Sequence, residues 1–356
     1  MTSPQPLPHL SSLPPYVPGR PPTAPPGVTP YKLSSNENPY PPLPGVLEAA
    51  EQAVATMNRY PDMGSVALYR ALADRLDVVP EQLSLGTGST AVLFGLLTAF
   101  CGPGDEVVMP WRSFEAYPIA ITVAGATPVP VPLTADARHD LAAMAAAVTE
   151  RTKVVLLCTP NNPTGPALSA TEVRGFLAAV PEHVLVVVDE AYLEFVRAED
   201  PVDGIALVGE RSNVAVVRTF SKAYGLAGLR VGYLASTPEI AAAVRSVALP
   251  FGVSTAAQAA AVASLQAETA LRARVDLLVD ERERLVKSLA EIGWQVPEAQ
   301  GNFVWLGVGD RTAEIAAACD AVGLSVRAFA GEGVRITVGE AEANRRVVEV
   351  LSRLEP

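Results

Sequence analysis

Val184-Leu-Val-Val-Val-Asp189-Glu-Ala-Tyr192 sets five consecutive apolar residues in front of a carboxylate. An uninterrupted Val/Leu run suits a strand buried on both faces, as in a parallel sheet covered by helices. Asp189 then falls at the carboxyl end of the strand, the edge where open α/β sheets bind ligands. Strand-like runs also occur at Glu106–Met109, Lys153–Cys158 and Val214–Val217, with helical stretches between them. Together they predict an α/β fold built on a mostly parallel sheet.

Two neighbouring runs end in equally informative residues. After Val214–Val217 comes Thr219-Phe-Ser-Lys222-Ala-Tyr-Gly-Leu-Ala-Gly-Leu-Arg230, a lysine among small and hydroxylated residues. A lysine carried into an apolar site loses solvation of its ammonium form, which lowers its pKa and frees an amine to form a Schiff base. After Lys153–Cys158 comes Thr159-Pro-Asn161-Asn162-Pro163-Thr164-Gly165, a turn that presents an amide at the same sheet edge. Each feature alone also reads as ordinary turn chemistry. Three strand ends carrying Asn, Asp and Lys in order point to one site. At this level Asp189 can hold a metal, bind a ribose or pair with a protonated pyridine nitrogen.

The chain has 356 residues, 49% hydrophobic and 18% charged, enough apolar surface for a large core and more than one typical domain. Lys+Arg 27 against Asp+Glu 38 gives a formal net charge of −11, which argues against nucleic acid or an anionic membrane as partner. An anionic ligand therefore needs local donors. Gly86-Thr-Gly88-Ser89-Thr90 precedes the helical stretch Ala91–Phe100 and offers backbone N–H groups and hydroxyls at a helix amino terminus. Cys101, Cys158 and Cys319 are odd in number and form no CxxC pair, so neither a disulfide framework nor zinc is expected, and a reducing cytoplasm is. No run of 18 apolar residues and no secretory leader pattern is present, so no membrane association is expected. His9, His139 and His183 fall in no motif, and no metal is expected.

Residues 1–45 are dominated by proline (Pro14-Pro15, Pro21-Pro22, Pro25-Pro26, Pro41-Pro42) and read as an arm outside the core. With Tyr16 and Tyr31 embedded in it, the arm is expected to lie across another surface, as a subunit or lid contact. Residues 46–254 read as a large domain and 255–356 as a smaller α+β domain. The latter begins with one or two long helices from Thr255 to Ile292. Strand-like pieces Asn302–Leu306 and Gly333–Val338 then flank a helix near Thr312–Ala321, with Trp294 and Trp305 as core.

These motifs are similar to those of fold type I pyridoxal-phosphate (PLP) aminotransferases, in the branch that contains histidinol-phosphate and aromatic amino acid aminotransferases. The resemblance runs from Leu33-Ser-Ser-Asn-Glu-Asn-Pro39 through Arg59-Tyr-Pro-Asp62, Thr159–Gly165, Val188–Tyr192 and Ser221–Arg230 to Val334-Arg-Ile-Thr-Val338. It implies a PLP cofactor and a homodimer with shared active sites. Lys222 resembles the Schiff-base lysine and proton carrier, and Asp189 the partner of the pyridine nitrogen. Asn162 and Tyr192 resemble the hydrogen-bond partners of the ring oxygen, and Phe114 the aromatic against the ring. Gly88, Ser89, Thr90, Thr219, Ser221 and Arg230 match the phosphate cradle, joined by Tyr60 from the neighbouring subunit. Arg335 matches the arginine that takes the substrate carboxylate. Asn36 lines the same pocket, and Tyr16 resembles the arm residue that closes over it.

Other chemistries on the same scaffold, such as a β-lyase or decarboxylase, compete with transamination. A PLP-binding regulator is disfavoured because no helix-turn-helix fits the proline-rich start, and a dinucleotide-binding protein because no GxGxxG follows the first strand. The expected substrates are small molecules: phenylalanine or tyrosine with 2-oxoglutarate or an aromatic 2-oxo acid. The grounds are Pro110–Pro118, Gly301–Leu306 and Val326–Thr337, where Phe329 sits in a short loop between Arg327 and Arg335. Histidinol phosphate is the alternative, with Arg327 available to a phosphate.

Overall fold

β1 (Tyr31–Leu33), β2 (Leu83–Gly86), β3 (Glu106–Trp111), β4 (Thr127–Pro132), β5 (Thr152–Cys158), β6 (Leu185–Asp189), β7 (Val214–Thr219), β8 (Gly232–Ala235), β9 (Phe303–Leu306), β10 (Leu324–Phe329) and β11 (Gly333–Thr337) are arranged in two sheets. The computed structural model describes residues 3–13, 16, 18, 19 and 21–356. Met1, Thr2, Pro14, Pro15, Val17 and Arg20 lie outside the described residues, including the Pro14-Pro15 pair of the arm.

The larger sheet has the order β2-β8-β7-β6-β5-β3-β4, parallel from β7 to β4, with β8 antiparallel to both its neighbours. Successive side chains of a strand point to opposite faces, and here both faces are buried. Leu185 and Val187 of β6 join Val107, Leu156 and Val217 in a core beneath the helices Ser89–Phe100 and Ala116–Val123. Val186 and Val188 join Val155, Leu157 and Val216 on the other face, against Val173, Phe176 and Leu177 of the helix Ala170–Ala179. Asp189 is in register with Cys158 of β5 and Val217 of β7, so three parallel strands end at nearly the same level.

The smaller sheet has the order β1-β10-β11-β9. The helix Thr255–Gln266 begins at Ser254, whose side chain accepts a hydrogen bond from Ala257 N, and a break at Ala267 separates it from Glu268–Glu291. Leu271, Val275, Leu278, Arg282, Leu285 and Leu289 of the second helix recur at three- and four-residue spacing along one buried face, joined by Val279. Trp294 and Trp305 are buried.

The amino-terminal segment departs from its reading as an arm outside the core. Tyr31–Leu33 pairs in parallel with Leu324–Val326, and Leu33 and Leu43 are only 1% and 2% exposed. The short Tyr-Lys-Leu alternation supplies one apolar face, and joining an open sheet edge pairs the backbone N–H and C=O groups of these three residues, which the prolines before them cannot do for one another.

Candidate active site

The ends of β5, β6 and β7 open into a cavity of about 290 Å³. Asp189 at the end of β6 accepts a hydrogen bond from the Tyr117 hydroxyl at 2.8 Å and another from Ala191 N at 3.2 Å. Burial pushes its carboxyl up to about 6, with those hydrogen bonds pulling the other way. Lys222, three residues beyond β7, donates from Nζ to the carbonyl of Ser35 at 3.1 Å. Burial lowers the lysine to about 7, and the Arg335 charge adds to the shift while Glu37 opposes it. Such an amine is substantially neutral near pH 7 and is a nucleophile and a base there.

A set of anion donors lies on the side of β7 toward β8. The helix Ser89–Phe100 begins in the loop after β2, at Gly88 with φ +86°. A Cβ on Gly232 would come 2.3 Å from Ser89 N, which excludes a side chain, and at Gly88 the positive φ disfavours one and a Cβ would press on the Arg230 guanidinium. Thr219 Oγ1 and Ser221 Oγ are 3.0 Å apart, and Arg230 Nη1 donates to Ser221 Oγ at 3.1 Å and to Ala227 O at 3.2 Å. Arg230 has no acidic partner among the described residues. Hydroxyls, a helix amino terminus and an uncompensated guanidinium thus surround one spot, which is the donor set a phosphate dianion needs.

Across the cavity, Arg335 of β11 is 7% exposed. It donates from Nη1 to Asn162 Oδ1 and from Nη2 to Ser34 O at 2.8 Å, and its Nε has no partner. A guanidinium only donates, so the oxygen of Asn162 faces Arg335 and the amide N–H groups are left for a ligand. Tyr192 accepts at its hydroxyl from Asn36 Nδ2 at 2.9 Å, and burial raises its phenol. Asn36 Oδ1 in turn accepts from Thr337 Oγ1 at 3.0 Å, with Asn36 at φ +52°, a conformation asparagine tolerates.

Ser89, Thr90, Phe114, Asn162, Asp189, Tyr192, Thr219, Ser221, Lys222, Arg230, Arg335 and Tyr16 therefore line one cavity. Gly88 touches it through Arg230, and Asn36 stands behind Tyr192 rather than in the wall. Tyr16 is 56% exposed at the mouth. Tyr60 is elsewhere: it is 83% exposed and packs on Phe251, ring centroids 4.8 Å apart.

Residues outside the sequence reading also belong to the site. Tyr117, fully buried, holds Asp189, and Glu115 in the cavity wall pairs with Arg327. Both lie just beyond Phe114 in the stretch read only for its aromatic content. Ser34 and Ser35, quoted in the Leu33–Pro39 motif without a role, act through their carbonyls, which accept from Arg335 and Lys222. Among the described residues no group of three or more His, Cys, Asp and Glu is placed to hold a metal.

The donors around Arg230, a buried carboxylate at the end of β6 and a neutral-leaning lysine make a site for a phosphorylated ring aldehyde. Residues 29–351 match the family described as aminotransferase class I and II, and the chain belongs to it. It is a pyridoxal-phosphate-dependent aminotransferase. An aromatic amino acid aminotransferase of Streptomyces avermitilis is 56% identical over 99% of this chain and 98% of its own. One of Streptomyces coelicolor is 55% identical over 96% and 95%. Among solved structures, histidinol-phosphate aminotransferase of Sinorhizobium meliloti in complex with pyridoxal-5'-phosphate aligns with a TM-score of 0.87 at 29% identity, covering 97% of each chain.

Proposed function

We propose that this aminotransferase acts on aromatic amino acids, phenylalanine and tyrosine, with 2-oxoglutarate or an aromatic 2-oxo acid as the amino acceptor. Bound pyridoxal phosphate supplies an aldehyde that takes up amines and a ring that withdraws the electrons of a Cα–H bond. The chain's own residues divide the remaining work. Lys222 Nζ would hold the cofactor aldehyde and, as a free amine, would carry the proton at Cα. Asp189, oriented by Tyr117, would offer a buried carboxylate to the ring nitrogen and favour its protonated form, and a cation there would offset the burial that raises the carboxyl. Tyr192 and the amide of Asn162 donate to the ring oxygen, and Phe114 adds an apolar wall. Gly88, Ser89, Thr90, Thr219, Ser221 and Arg230 hold the phosphate.

Arg335 takes the substrate carboxylate, Asn36 sets the Tyr192 hydroxyl, and Tyr16 covers the mouth. The observation that carries the substrate is the wall beside Arg335. Phe329 is 4% exposed, lines the cavity and is braced edge-on by Trp305 at 5.4 Å. An aromatic side chain buries apolar area there, and the names of the two Streptomyces relatives agree with this. The deciding measurement compares kcat/KM for phenylalanine, tyrosine and histidinol phosphate. An aromatic preference of tenfold is about 1.4 kcal/mol of transition-state binding. Histidinol phosphate winning by that margin would overturn the substrate and leave the transaminase.

The protein is further proposed to be a homodimer with shared sites. Met57, Tyr60, Met63 and Leu249 are 76%, 83%, 66% and 75% exposed, an apolar face that a second copy would cover. Gly252, next to the Phe251 that Tyr60 packs on, approaches Thr87, the residue before Gly88 of the cradle, and the partner's Tyr60 would join the cradle from this side. Light scattering that finds an active monomer would refute it. Residues 46–254 and 255–356 are the proposed large and small domains, with 1–45 as the arm apart from β1. Three unpaired thiols support a cytoplasmic location, and the net charge of −11 supports small molecules as partners in place of nucleic acid or membrane.

A further inference from the structure

Arg327 and Arg335 are direct cross-strand partners on β10 and β11, and each is 7% exposed. Like charges in that position repel, and both guanidiniums line the same cavity. They are compensated differently. Arg335 has only neutral acceptors, Asn162 Oδ1 and Ser34 O. Arg327 donates from Nη2 to Glu115 Oε2 at 2.5 Å, with side-chain exposures of 8% and 28%, so water screens the pair weakly. Glu332, the acid at the hairpin turn, is not a substitute, because Arg112 engages both its oxygens. Of the two arginines of this hairpin, Arg335 alone keeps an uncompensated charge among the described residues, while Arg230, the other unpaired guanidinium of the cavity, lies with the phosphate donors. Beyond Arg335, the Arg327 guanidinium lies 5.5 Å from the Phe329 ring with its charge already met by the protein.

We propose that Glu115 is a specificity-determining residue, which neutralises Arg327 and so biases the side-chain end of the cavity toward uncharged groups, at a cost to dicarboxylates such as glutamate and 2-oxoglutarate that does not bar them. A substrate with an anionic side chain must break the Glu115–Arg327 pair or set its charge beside the carboxylate. This rests on the aminotransferase reading of the site with Arg335 at the α-carboxylate. Glu115 precedes the helix Ala116–Val123 and makes no side-chain cap to it, so Glu115→Gln removes the charge while keeping size and backbone role.

The experiment uses the PLP-loaded enzyme and two substrates with the same α-amino and α-carboxylate groups, L-glutamate and L-phenylalanine. In Glu115→Gln the glutamate-to-phenylalanine ratio of kcat/KM rises by about fivefold or more, and Arg327→Gln in the same chain returns it toward the wild-type ratio. Arg327→Gln alone leaves Glu115 unpaired and drops the ratio below wild type. A smaller rise in Glu115→Gln, an equal rise in the double variant, or an Arg327→Gln ratio not below wild type overturns the proposal. Wild-type enzyme that prefers glutamate to phenylalanine would refute the aromatic substrate instead, and the changes in ratio would still judge Glu115.

Discussion

The two sheets meet at one cavity and bring different chemistry to it. From the larger come Asp189, Asn162, Thr219, Ser221 and Lys222; from the smaller come Arg327, Phe329 and Arg335. Parallel strands buried on both faces all end at one edge, so the residues just past β5, β6 and β7 are neighbours whatever the surface does. The smaller sheet presents its residues from a hairpin with three residues, 330–332, between β10 and β11. On the proposed reading, the groups that hold the cofactor sit at the edge of the larger sheet, and the groups that meet only the substrate sit on the hairpin. Substitutions in the first set should impair all substrates alike, and substitutions in the second should spare the cofactor.

The hardest test of that division is Lys222→Ala. It should lose the absorbance of lysine-bound cofactor and more than about 10⁴-fold of activity with every amino acid, since a covalent anchor and a base go together. PLP should still bind through the donors around Arg230. A variant retaining a tenth of wild-type activity would break the comparison at its root.

Arg335→Gln should come next. Losing a buried guanidinium that faces a carboxylate should lower kcat/KM by about 10²-fold or more, while the variant still holds PLP on Lys222 at a pH above the lysine's midpoint. Loss of PLP from this variant would show that the smaller sheet also holds the cofactor.

The mildest effect links the two sheets through charge. Burial disfavours the ammonium of Lys222, so the amine is neutral above about 7 and protonated below it, with Arg335 contributing to the shift. Capture of added PLP by the cofactor-free protein should therefore slow by about tenfold per pH unit below that value. Arg335→Gln should move the midpoint upward. A wild-type midpoint near 10.5, the ordinary lysine value, would mean that neither burial nor Arg335 acts on the amine.

Much of this was legible in sequence because the Val/Leu runs of β3, β5, β6 and β7 are buried on both faces and need no partner context to be recognised. β4 was hidden by Pro128, Pro130 and Pro132. It is an edge strand paired only with β3, and prolines two residues apart put their missing donors on the same side, which the open edge tolerates. β2 and β8 are four residues each, too short for a period to show. Glu115 and Tyr117 escaped for a different reason. Their meaning depends on Arg327 and Asp189, which lie 212 and 72 residues away, and only the fold makes those neighbours.

Ser34, Ser35 and Asn36 touch Arg335, Lys222 and Tyr192 in turn, and Asn36 is 301 residues from Thr337. In the order of synthesis, the first strand to leave the ribosome waits for nearly the last two. β10 must exist before β1 has an edge to join, and β11 before Ser34 O has a guanidinium to accept from. Contacts of such long range lose the most chain entropy on closing and form late. A nascent chain stopped before β11 has every strand of the larger sheet but not the latch across its edge. The cavity is therefore closed only once β10 and β11 have been made, and activity reports that this hairpin has docked against β1.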